Sequence, residues 1–226
     1  MSSPALLAVA HGSRNPAAAE VMRGLARQVR RLAPGLDVRV AFIGHAEPSL
    51  PDELDAAGAG AVIVPLLLSS GYHLTVDITG AAKSTGALVA GPLGPHDLLL
   101  TALTTRLAEA GVADGTPVVL AAAGSSDPAA LADVMSQADL LADRLGVPVT
   151  AAFATSTAPN VADAVAELRE RTGQPVAIAS YLLAPGLFQD QLADCGASWV
   201  TAPLGGSPAL AALVIERYRR ALLPTR

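Results

Sequence analysis

The chain has 226 residues, of which 51% are hydrophobic and 3% aromatic, and its formal net charge is −5. Its lysines and arginines are scattered, which gives no basic patch for nucleic acid, and a single cysteine, Cys195, excludes an intramolecular disulfide and a cysteine-rich metal cluster. The apolar run at 5–10 is too short for a signal peptide or a membrane span. We therefore expect a soluble cytoplasmic protein with neither nucleic acid nor a membrane as partner.

Short apolar runs alternate with longer stretches of helical periodicity along the whole chain. In the first half, the runs predict strands at 6–10, 38–43, 61–68 and 87–90. In the second half, they predict strands at 118–122, 147–153, 176–183 and 198–202. Because these runs are apolar on both faces, they favour parallel sheets covered by helices, which is the α/β class.

Two Asx-Pro pairs predict where helices begin. Asn15-Pro16 and Asp127-Pro128 each supply an N-cap side chain followed by proline at the first helical position. Pro34-Gly35 and Gly146 predict the ends of the two helices that start there.

The second half of the chain repeats the first. Segment 10–16, Ala-His-Gly-Ser-Arg-Asn-Pro, corresponds to 122–128, Ala-Ala-Gly-Ser-Ser-Asp-Pro. Three further segments correspond in the same order: 41–48 with 152–159, 63–73 with 178–188, and 89–94 with 200–205. Four matches in one order at nearly one spacing indicate an internal duplication with a repeat of about 110 residues.

The repeat predicts two tandem domains, 1–113 and 114–226, with the boundary near 111–117. Each is expected to be a four-stranded, mostly parallel sheet flanked by helices. Since one chain already supplies both copies, a monomer is the simplest expectation and a homodimer is the alternative.

All four histidines, His11, His45, His73 and His96, lie in the first repeat. His11 and His45 follow the first and second predicted strands, and His73 lies a few residues beyond the third. Because ligands of parallel α/β sheets bind at the carboxyl ends of the strands, these three histidines are expected to share one site. For any one of them, a histidine that is simply hydrogen-bonded in a loop is the more common case, but their positions after three successive strands favour a shared role. His96 follows the fourth strand near a helix start, where a ligand contact and a structural role both stay open.

Other chemistries fit the sequence less well. Neither a Walker-type loop nor Gly-x-Gly-x-x-Gly follows a predicted strand, so nucleotide-dependent chemistry is unsupported. Gly12-Ser13 follows a strand without forming Gly-x-Ser-x-Gly, and the second repeat keeps Gly124-Ser125 without the histidine. Ser13 is therefore assigned to capping or to ligand binding.

Four segments of the first repeat carry a family resemblance. They are His-Gly-Ser-Arg-Asn-Pro at 11–16, Ala-Phe at 41–42 with Glu-Pro-Ser-Leu at 47–50, Val-Pro-Leu-Leu-Leu-Ser-Ser-Gly-Tyr-His at 64–73 with Asp-Ile at 77–78, and Gly-Pro-Leu-Gly-Pro-His at 91–96. These segments resemble the sirohydrochlorin chelatases, the class II, ATP-independent enzymes that insert cobalt or iron in cobalamin or sirohaem synthesis. The resemblance extends over the whole chain in the two-copy form of that family.

The resemblance implies chelatase-like domains with a cleft between them that holds a flexible tetrapyrrole. It implies His11 and His73 as catalytic histidines, while 114–226, which has no histidine, would form the other wall. No cofactor is expected to be permanently bound, because the divalent metal, Co²⁺, Fe²⁺ or Ni²⁺, is a substrate. Neutral imidazole can coordinate such a metal or accept a pyrrole proton. His11 and His73 are therefore expected to hold the metal and receive protons, with their individual roles open.

One position departs from the family pattern. Members often have an acidic residue just after the Phe-hydrophobe pair of the second strand, where this chain has Gly44. Three alternatives follow: His45 is a third metal ligand or base, Glu47 reaches in, or two histidines suffice. His45 ranks first because it lies closer to the strand end. Glu47 is equally explained as a first-turn acid of the helix beginning at Pro48.

A net acidic protein that binds a polycarboxylate such as sirohydrochlorin needs local positive charge and hydrogen-bond donors. The candidate substrate contacts lie after strands or at helix starts: Ser13, Arg14, Ser69, Ser70, His96 and Ser125. Two rival functions are a non-catalytic carrier of a tetrapyrrole or of cobalt or nickel, and a chelatase acting on another tetrapyrrole. The metal stays open because cobalt, iron and nickel all accept imidazole.

Overall fold

The computed structural model describes residues 3–70, 72–155 and 157–224, and for residues 72–76 it describes the backbone alone. The strands are β1 (Leu6–Ala10), β2 (Val38–Phe42), β3 (Val62–Pro65), β4 (Leu88–Val89), β5 (Val118–Ala122), β6 (Val149–Phe153), β7 (Ala177–Tyr181) and β8 (Trp199–Val200). The helices are α1 (Pro16–Leu32), α2 (Leu50–Ala57), α3 (Tyr72–Thr85), α4 (Asp97–Glu109), α5 (Pro128–Leu145), α6 (Val161–Thr172), α7 (Leu187–Leu192) and α8 (Pro208–Ala221), with a 3-10 turn at Leu204–Gly206.

The strands form two four-stranded sheets with the same topology. The first has the order β2-β1-β3-β4 and the second β6-β5-β7-β8, and every paired strand is parallel. The predicted fold class is therefore confirmed. The last strand of each sheet has two residues, whereas the sequence predicts runs of four and five residues, at 87–90 and 198–202.

The central strands of both sheets are buried on both faces. All five residues of β1 and of β5 are buried, as expected of strands covered by helices on both sides. In each sheet an apolar cluster joins strands to helices; in the first sheet it includes Val9 of β1, Leu54 of α2 and Ile78 of α3. The cores contain mainly Ala, Val, Leu and Ile, in agreement with the low aromatic content.

The two predicted helix starts are confirmed. The Asn15 side chain accepts a hydrogen bond from the Ala17 amide at 3.0 Å, and Asp127 accepts one from Ala129 at 2.9 Å. Proline occupies the first turn of both helices. Gly146 ends α5 in the left-handed conformation that favours glycine.

Contacts divide the chain into two compact units that differ from the sequence repeats. Unit 1 comprises Met1–Leu93 and Gly206–Arg226, and unit 2 comprises Gly94–Gly205. Helix α8 packs against α1 and β3 in unit 1, while α4 packs against α5 and β7 in unit 2. The last helix of each sequence repeat therefore packs on the sheet of the other repeat. The predicted boundary at residue 113 describes the repeats and stays a prediction about them.

Polar contacts hold α4 and α8 in place, and we call these two helices the exchanged helices because each packs on the sheet of the other repeat. At the start of α4, the His96 amide donates to Oε1 of fully buried Gln137 at 2.8 Å. At the start of α8, Gln28 Nε2 donates to the Gly206 carbonyl at 3.2 Å. Farther along α8, the Tyr218 hydroxyl donates to the Pro4 carbonyl at 2.6 Å.

The exchange of helices separates charge. Unit 1 contains 11 of the 15 Lys and Arg residues and 8 of the 20 Asp and Glu residues, which gives a net charge of +3. Unit 2 contains the other 4 basic and 12 acidic residues, which gives −8. The unit that includes His11, His45 and His73 is thus net basic in an acidic protein.

Within the described residues, each helix is too short or too polar to cross a bilayer.

We predict that buried Gln137 and half-buried Gln28 differ in their effect on stability. Gln137→Leu should lower the free energy of unfolding by about 1–3 kcal/mol, because it leaves the His96 amide without its acceptor. Gln28→Leu is the matched control and should cost less, since Gln28 Oε1 is buried without a partner and exposed Gly206 can bond to water instead. Urea denaturation of both variants measures the difference, and equal losses would contradict the prediction.

Candidate functional site

The loops after β1 and β2 continue the sheet beyond the ends of the strands. The Ile43 amide donates to the Ala10 carbonyl at 3.1 Å, and the Gly44 amide donates to the His11 carbonyl at 3.0 Å. His11 and His45 consequently lie on two adjacent loops at one edge of the sheet. This placement agrees with the expectation from strand order.

Gly12 allows these loops to approach each other closely. Its φ is +89°, and a Cβ built on it would lie 1.6 Å from the Gly44 carbonyl oxygen. A side chain at position 12 would therefore overlap the backbone of the neighbouring loop, and L-residues also disfavour this φ. Only glycine fits, and the contact sets the separation of the residues that flank it, His11 and His45.

His45 has an unusual backbone conformation. Among the described non-glycine residues, it alone has a positive φ, +60°. The left-handed region is uncommon for such residues and stores strain, which is often found where a side chain must be presented for binding. The imidazole of His45 is exposed, as is that of His11, so both rings are accessible to a ligand.

Arg23 of α1 anchors the loop after β2 from below. Its Nη2 donates to the Glu47 carbonyl at 2.8 Å, and its guanidinium lies 5.7 Å from the centroid of the Phe42 ring. The Phe42 amide in turn donates to the Pro48 carbonyl at 3.0 Å. The sequence alone gives no signal for this role of Arg23. Glu47 is thus held through its backbone, while its carboxylate is exposed.

His73 is the second residue of α3, the helix that follows β3. Its side chain lies outside the described residues, so its predicted role stays a prediction. The backbone still gives its place, because β3 lies beside β1 on the side away from β2. Along the carboxyl edge, the strand order therefore runs from the His45 loop through the His11 loop to the loop that leads into α3.

Ser69 and Ser70 lie in the loop between β3 and α3, and both are half-buried. The loop is attached to its neighbours at two points. The Leu66 amide donates to the Val9 carbonyl and the Leu93 amide donates to the Leu67 carbonyl, each at 2.7 Å. The two serines therefore lie at the predicted edge of the sheet, in a loop whose first residues, Leu66 and Leu67, are held by backbone hydrogen bonds.

Ser13 closes the turn before α1. Its Oγ accepts a hydrogen bond from the Asn15 amide at 3.1 Å, and Ser125 does the same for Asp127 at 3.0 Å. Both hydroxyls form a serine turn that leads into the N-cap residue of the next helix, Asn15 or Asp127. The N-cap is therefore not Ser13 itself, and each serine hydroxyl still has a proton to donate. Arg14 is exposed and has no hydrogen bond or ion pair to another described residue, so its charge is available.

His96 does not share the unit of the other histidines. It is the N-cap of α4 in unit 2, where its Nδ1 accepts a hydrogen bond from the Leu98 amide at 3.1 Å. This is the structural role considered from the sequence. Contact with a substrate stays a prediction for His96, as it does for Ser125.

The second repeat builds the corresponding edge with different chemistry. Gly124 has a φ of +102°, and a Cβ on it would lie 2.2 Å from Thr155 Oγ1. The Thr155 amide donates to the Ala123 carbonyl at 3.0 Å, just as Gly44 donates to His11. The backbone arrangement is thus repeated, with Ala123 in place of His11 and Thr155 in place of Gly44.

Two surface grooves lie away from these histidines. A groove of about 420 Å³ runs beside the edge strand β2 and includes Arg30, Arg39 and Glu53. A second of about 260 Å³ lies by α4 and α5. Within the described side chains, which leave out His73, no three His, Cys, Asp or Glu residues come together as a metal site. Neither of these two grooves is lined by a histidine.

Gly12 was also missed as a site residue, although the sequence has a signal for it. Glycine occurs at the same place after the first strand of both repeats, at positions 12 and 124. A glycine kept while the residue before it changes from histidine to alanine indicates a backbone requirement.

Comparisons with known proteins agree on one family. The CbiX family model matches this chain twice, over residues 5–110 and 117–221. The sirohydrochlorin cobaltochelatase of Methanosarcina barkeri (strain Fusaro / DSM 804) is 31% identical over 123 residues, which cover 46% of this chain and 95% of that protein. The sirohydrochlorin ferrochelatase of Priestia megaterium is 27% identical over 207 residues, 84% of this chain and 77% of that protein.

A solved structure shows the same fold over nearly the whole length. SirB from Bacillus subtilis with Fe³⁺ superposes with a TM-score of 0.83 at 25% identity, covering 96% of this chain and 94% of that one. The two-copy form expected from the sequence is therefore also that of a similar protein of known structure.

We predict that Gly12→Ala destabilises unit 1 by at least about 2 kcal/mol, because the methyl group overlaps the Gly44 carbonyl and the positive φ is unfavourable for alanine. Chemical denaturation measures the loss. Gly24→Ala is the control: it lies inside α1, its nearest contact would be 3.6 Å away, and it should be neutral or stabilising by up to about 1 kcal/mol. A Gly12→Ala variant as stable as Gly24→Ala would contradict the close approach.

Proposed function

This chain belongs to the CbiX family, and the relatives that it matches are sirohydrochlorin chelatases. We propose that it inserts Co²⁺ or Fe²⁺ into sirohydrochlorin without ATP. The reaction serves either cobalamin or sirohaem synthesis. The observation that supports it is the Gly12–Gly44 contact, which sets two exposed imidazoles, His11 and His45, on adjacent loops of one sheet edge.

The chemistry requires ligands and bases in one place. The divalent ion loses its water, four ring nitrogens bind it, and the two pyrrole N–H groups release their protons. Imidazole is a suitable temporary ligand for either metal and a suitable acceptor for such a proton. ATP is not needed when binding energy distorts the ring toward the geometry in which it accepts the metal.

The proposed division of labour follows the order of the edge. His11, at the end of the central strand, and His73, near the start of α3, hold the metal and accept the protons. His45 is the third ligand, where related proteins often have an acid. Its strained φ and exposed ring favour it over Glu47, whose loop segment is tied down through its carbonyl oxygen by Arg23.

The proposed substrate contacts are those at this edge that can donate hydrogen bonds or charge. Arg14 is exposed and has no partner among the described residues, so it can pair with a carboxylate. Ser13, Ser69 and Ser70 add hydroxyl groups, and the net charge of +3 on unit 1 attracts a polyanion. His96 and Ser125, which belong to unit 2, stay predicted substrate contacts.

The deciding measurement is multiple turnover. Catalytic amounts of the protein should accelerate the absorbance change that accompanies insertion of Co²⁺ or Fe²⁺ into sirohydrochlorin. His11→Ala and His73→Ala should each lower kcat by about tenfold to a hundredfold, the usual size for loss of a catalytic base. Ser84→Ala, at an exposed position of the same helix as His73, is the control and should retain the wild-type rate.

The alternatives give different results in the same assay. A non-catalytic carrier of metal or tetrapyrrole would act only in proportion to its own concentration. A chelatase for another tetrapyrrole would use a protoporphyrin faster than sirohydrochlorin. Unchanged turnover in both histidine variants, with their folding checked by circular dichroism, would contradict the assignment of the two residues.

We also predict that an acidic residue can replace His45 from position 44. A Cβ on Gly44 would meet nothing within 4 Å, so a carboxylate fits there, next to the Gly12 contact. His45→Asn, which removes the imidazole but tolerates the positive φ, should weaken Co²⁺ binding at least about tenfold. Adding Gly44→Glu to His45→Asn should recover most of that loss, as measured by cobalt titration.

Two controls make this result specific. Glu47→Gln should leave Co²⁺ binding within about twofold if His45 is the ligand, since a carboxylate that does not bind the ion contributes little at an exposed position. A large loss in Glu47→Gln, together with normal binding in His45→Asn, would instead assign the third ligand to Glu47.

A further inference from the structure

Arg217 of the exchanged helix α8 contacts the loop that follows β4. Its Nη2 donates to the Leu93 carbonyl at 2.8 Å, and Leu93 is fully buried. The two residues are 124 positions apart in sequence, and the contact exists because α8 packs in unit 1 rather than with the repeat that encodes it.

Leu93 also contacts a loop of the candidate site. Its amide donates to the Leu67 carbonyl at 2.7 Å, so one residue accepts from Arg217 and donates to the loop after β3. Leu67 lies two residues before Ser69 and five before Tyr72, where α3 begins. A single residue, Leu93, therefore connects Arg217 with the loop that leads into α3, the helix that contains His73.

The position of Arg217 is unfavourable by itself. Its Nε is buried and has no hydrogen-bond partner in the described structure, and burial lowers the pKa of the guanidinium, opposed by the charge of Glu216. The residue as a whole is half-buried. A buried donor without a partner costs free energy, so this part of the side chain does not itself stabilise the fold.

The other repeat provides an internal comparison. Arg106 of α4 occupies the corresponding position and donates through Nε to the Pro203 carbonyl at 3.0 Å. There, the residue that holds the loop after β7 is Leu204, whose amide donates to Leu182 at 2.8 Å. Arg106 thus bonds to the preceding residue, whereas Arg217 bonds directly to the residue that holds the loop. The loop after β7 also leads to a helix without histidine, α7.

We propose that Arg217 is a positioning residue for metal insertion: through Leu93 and Leu67 it fixes the loop 66–70 and thereby the start of α3. This inference rests on the proposed function, because it assigns importance to the place of His73. It does not require Arg217 to touch metal or substrate. Small displacements of a reacting group by a distant residue can lower rates by up to about a hundredfold.

The test compares three arginines in the full-length protein. Arg217→Met should lower kcat for insertion about tenfold or more while KM changes less than about threefold, since position rather than binding is lost. Arg106→Met, the equivalent change in unit 2, and Arg219→Met, an exposed change in the same helix, should keep kcat within about twofold. The d–d absorption of bound Co²⁺ should change only in Arg217→Met.

Rescue separates positioning from folding. Arg217→Lys keeps a charged donor for the Leu93 carbonyl and should recover at least half of the kcat lost in Arg217→Met, at similar thermal stability. If Arg217→Met does not fold, Arg217→Gln decides, because its shorter side chain has a donor that does not reach Leu93. A reduced kcat in Arg217→Gln supports the proposal, and wild-type kcat overturns it.

The same assay distinguishes the two levels of inference. Wild-type kcat and an unchanged cobalt spectrum in folded Arg217→Met overturn the positioning role and leave the proposed function intact. Absence of turnover by the wild-type protein, or full turnover by His73→Ala, contradicts the proposed function instead. A loss of kcat that is equal in Arg217→Met and Arg106→Met, and follows their loss of thermal stability, also overturns the positioning role.

Discussion

The close approach of two backbone segments at Gly12 and Gly44 is the constraint on which the candidate site depends. It requires a residue without a side chain in the turn after β1, since a Cβ there would lie 1.6 Å from a carbonyl oxygen. The same approach allows the Gly44 amide to bond to the His11 carbonyl and brings the loop after β2 alongside His11. A histidine on either loop would otherwise sit at a sheet edge without a defined neighbour. The backbone therefore sets the geometry, and the side chains supply the chemistry.

The second repeat shows that this geometry can be kept without the chemistry. Gly124 again has a positive φ, yet the group that approaches it is the Thr155 hydroxyl, and Ala123 stands where the first repeat has His11. Position 155 shows that the backbone accepts a side chain at the place of Gly44. The absence of an acidic residue at Gly44 therefore has no steric cause. This agrees with the proposal that the exposed His45, with its positive φ, replaces the acid as a ligand.

The sequence predicts the sheets, the helix starts and the shared edge well because these depend on local pattern. Apolar runs give the eight strands, and Asn15-Pro16 and Asp127-Pro128 give two helix starts. The packing of α4 and α8 on the sheet of the other repeat is not predicted, since it depends on which sheet each helix covers, and the central strands of both sheets are apolar and buried. For the same reason, Gln137 and Arg217 receive no role from sequence: their partners, His96 and Leu93, are distant in the chain. The role of Gly12, by contrast, can be found from the sequence, because both repeats have glycine at this place.

The exchange of helices also affects electrostatics. Helix α8 brings three arginines and one glutamate, a net charge of +2, to unit 1, whereas α4 takes two acidic residues and one arginine, a net charge of −1, to unit 2. Divided at residue 113, the two halves would have net charges of −1 and −4, but the units as folded have +3 and −8. The electrostatic field of the unit with the histidines therefore favours an anionic ligand, although the chain as a whole is acidic. The packing that supports the loop before α3 thus also makes the histidine unit basic, so one rearrangement of helices serves both the position of the site and its charge.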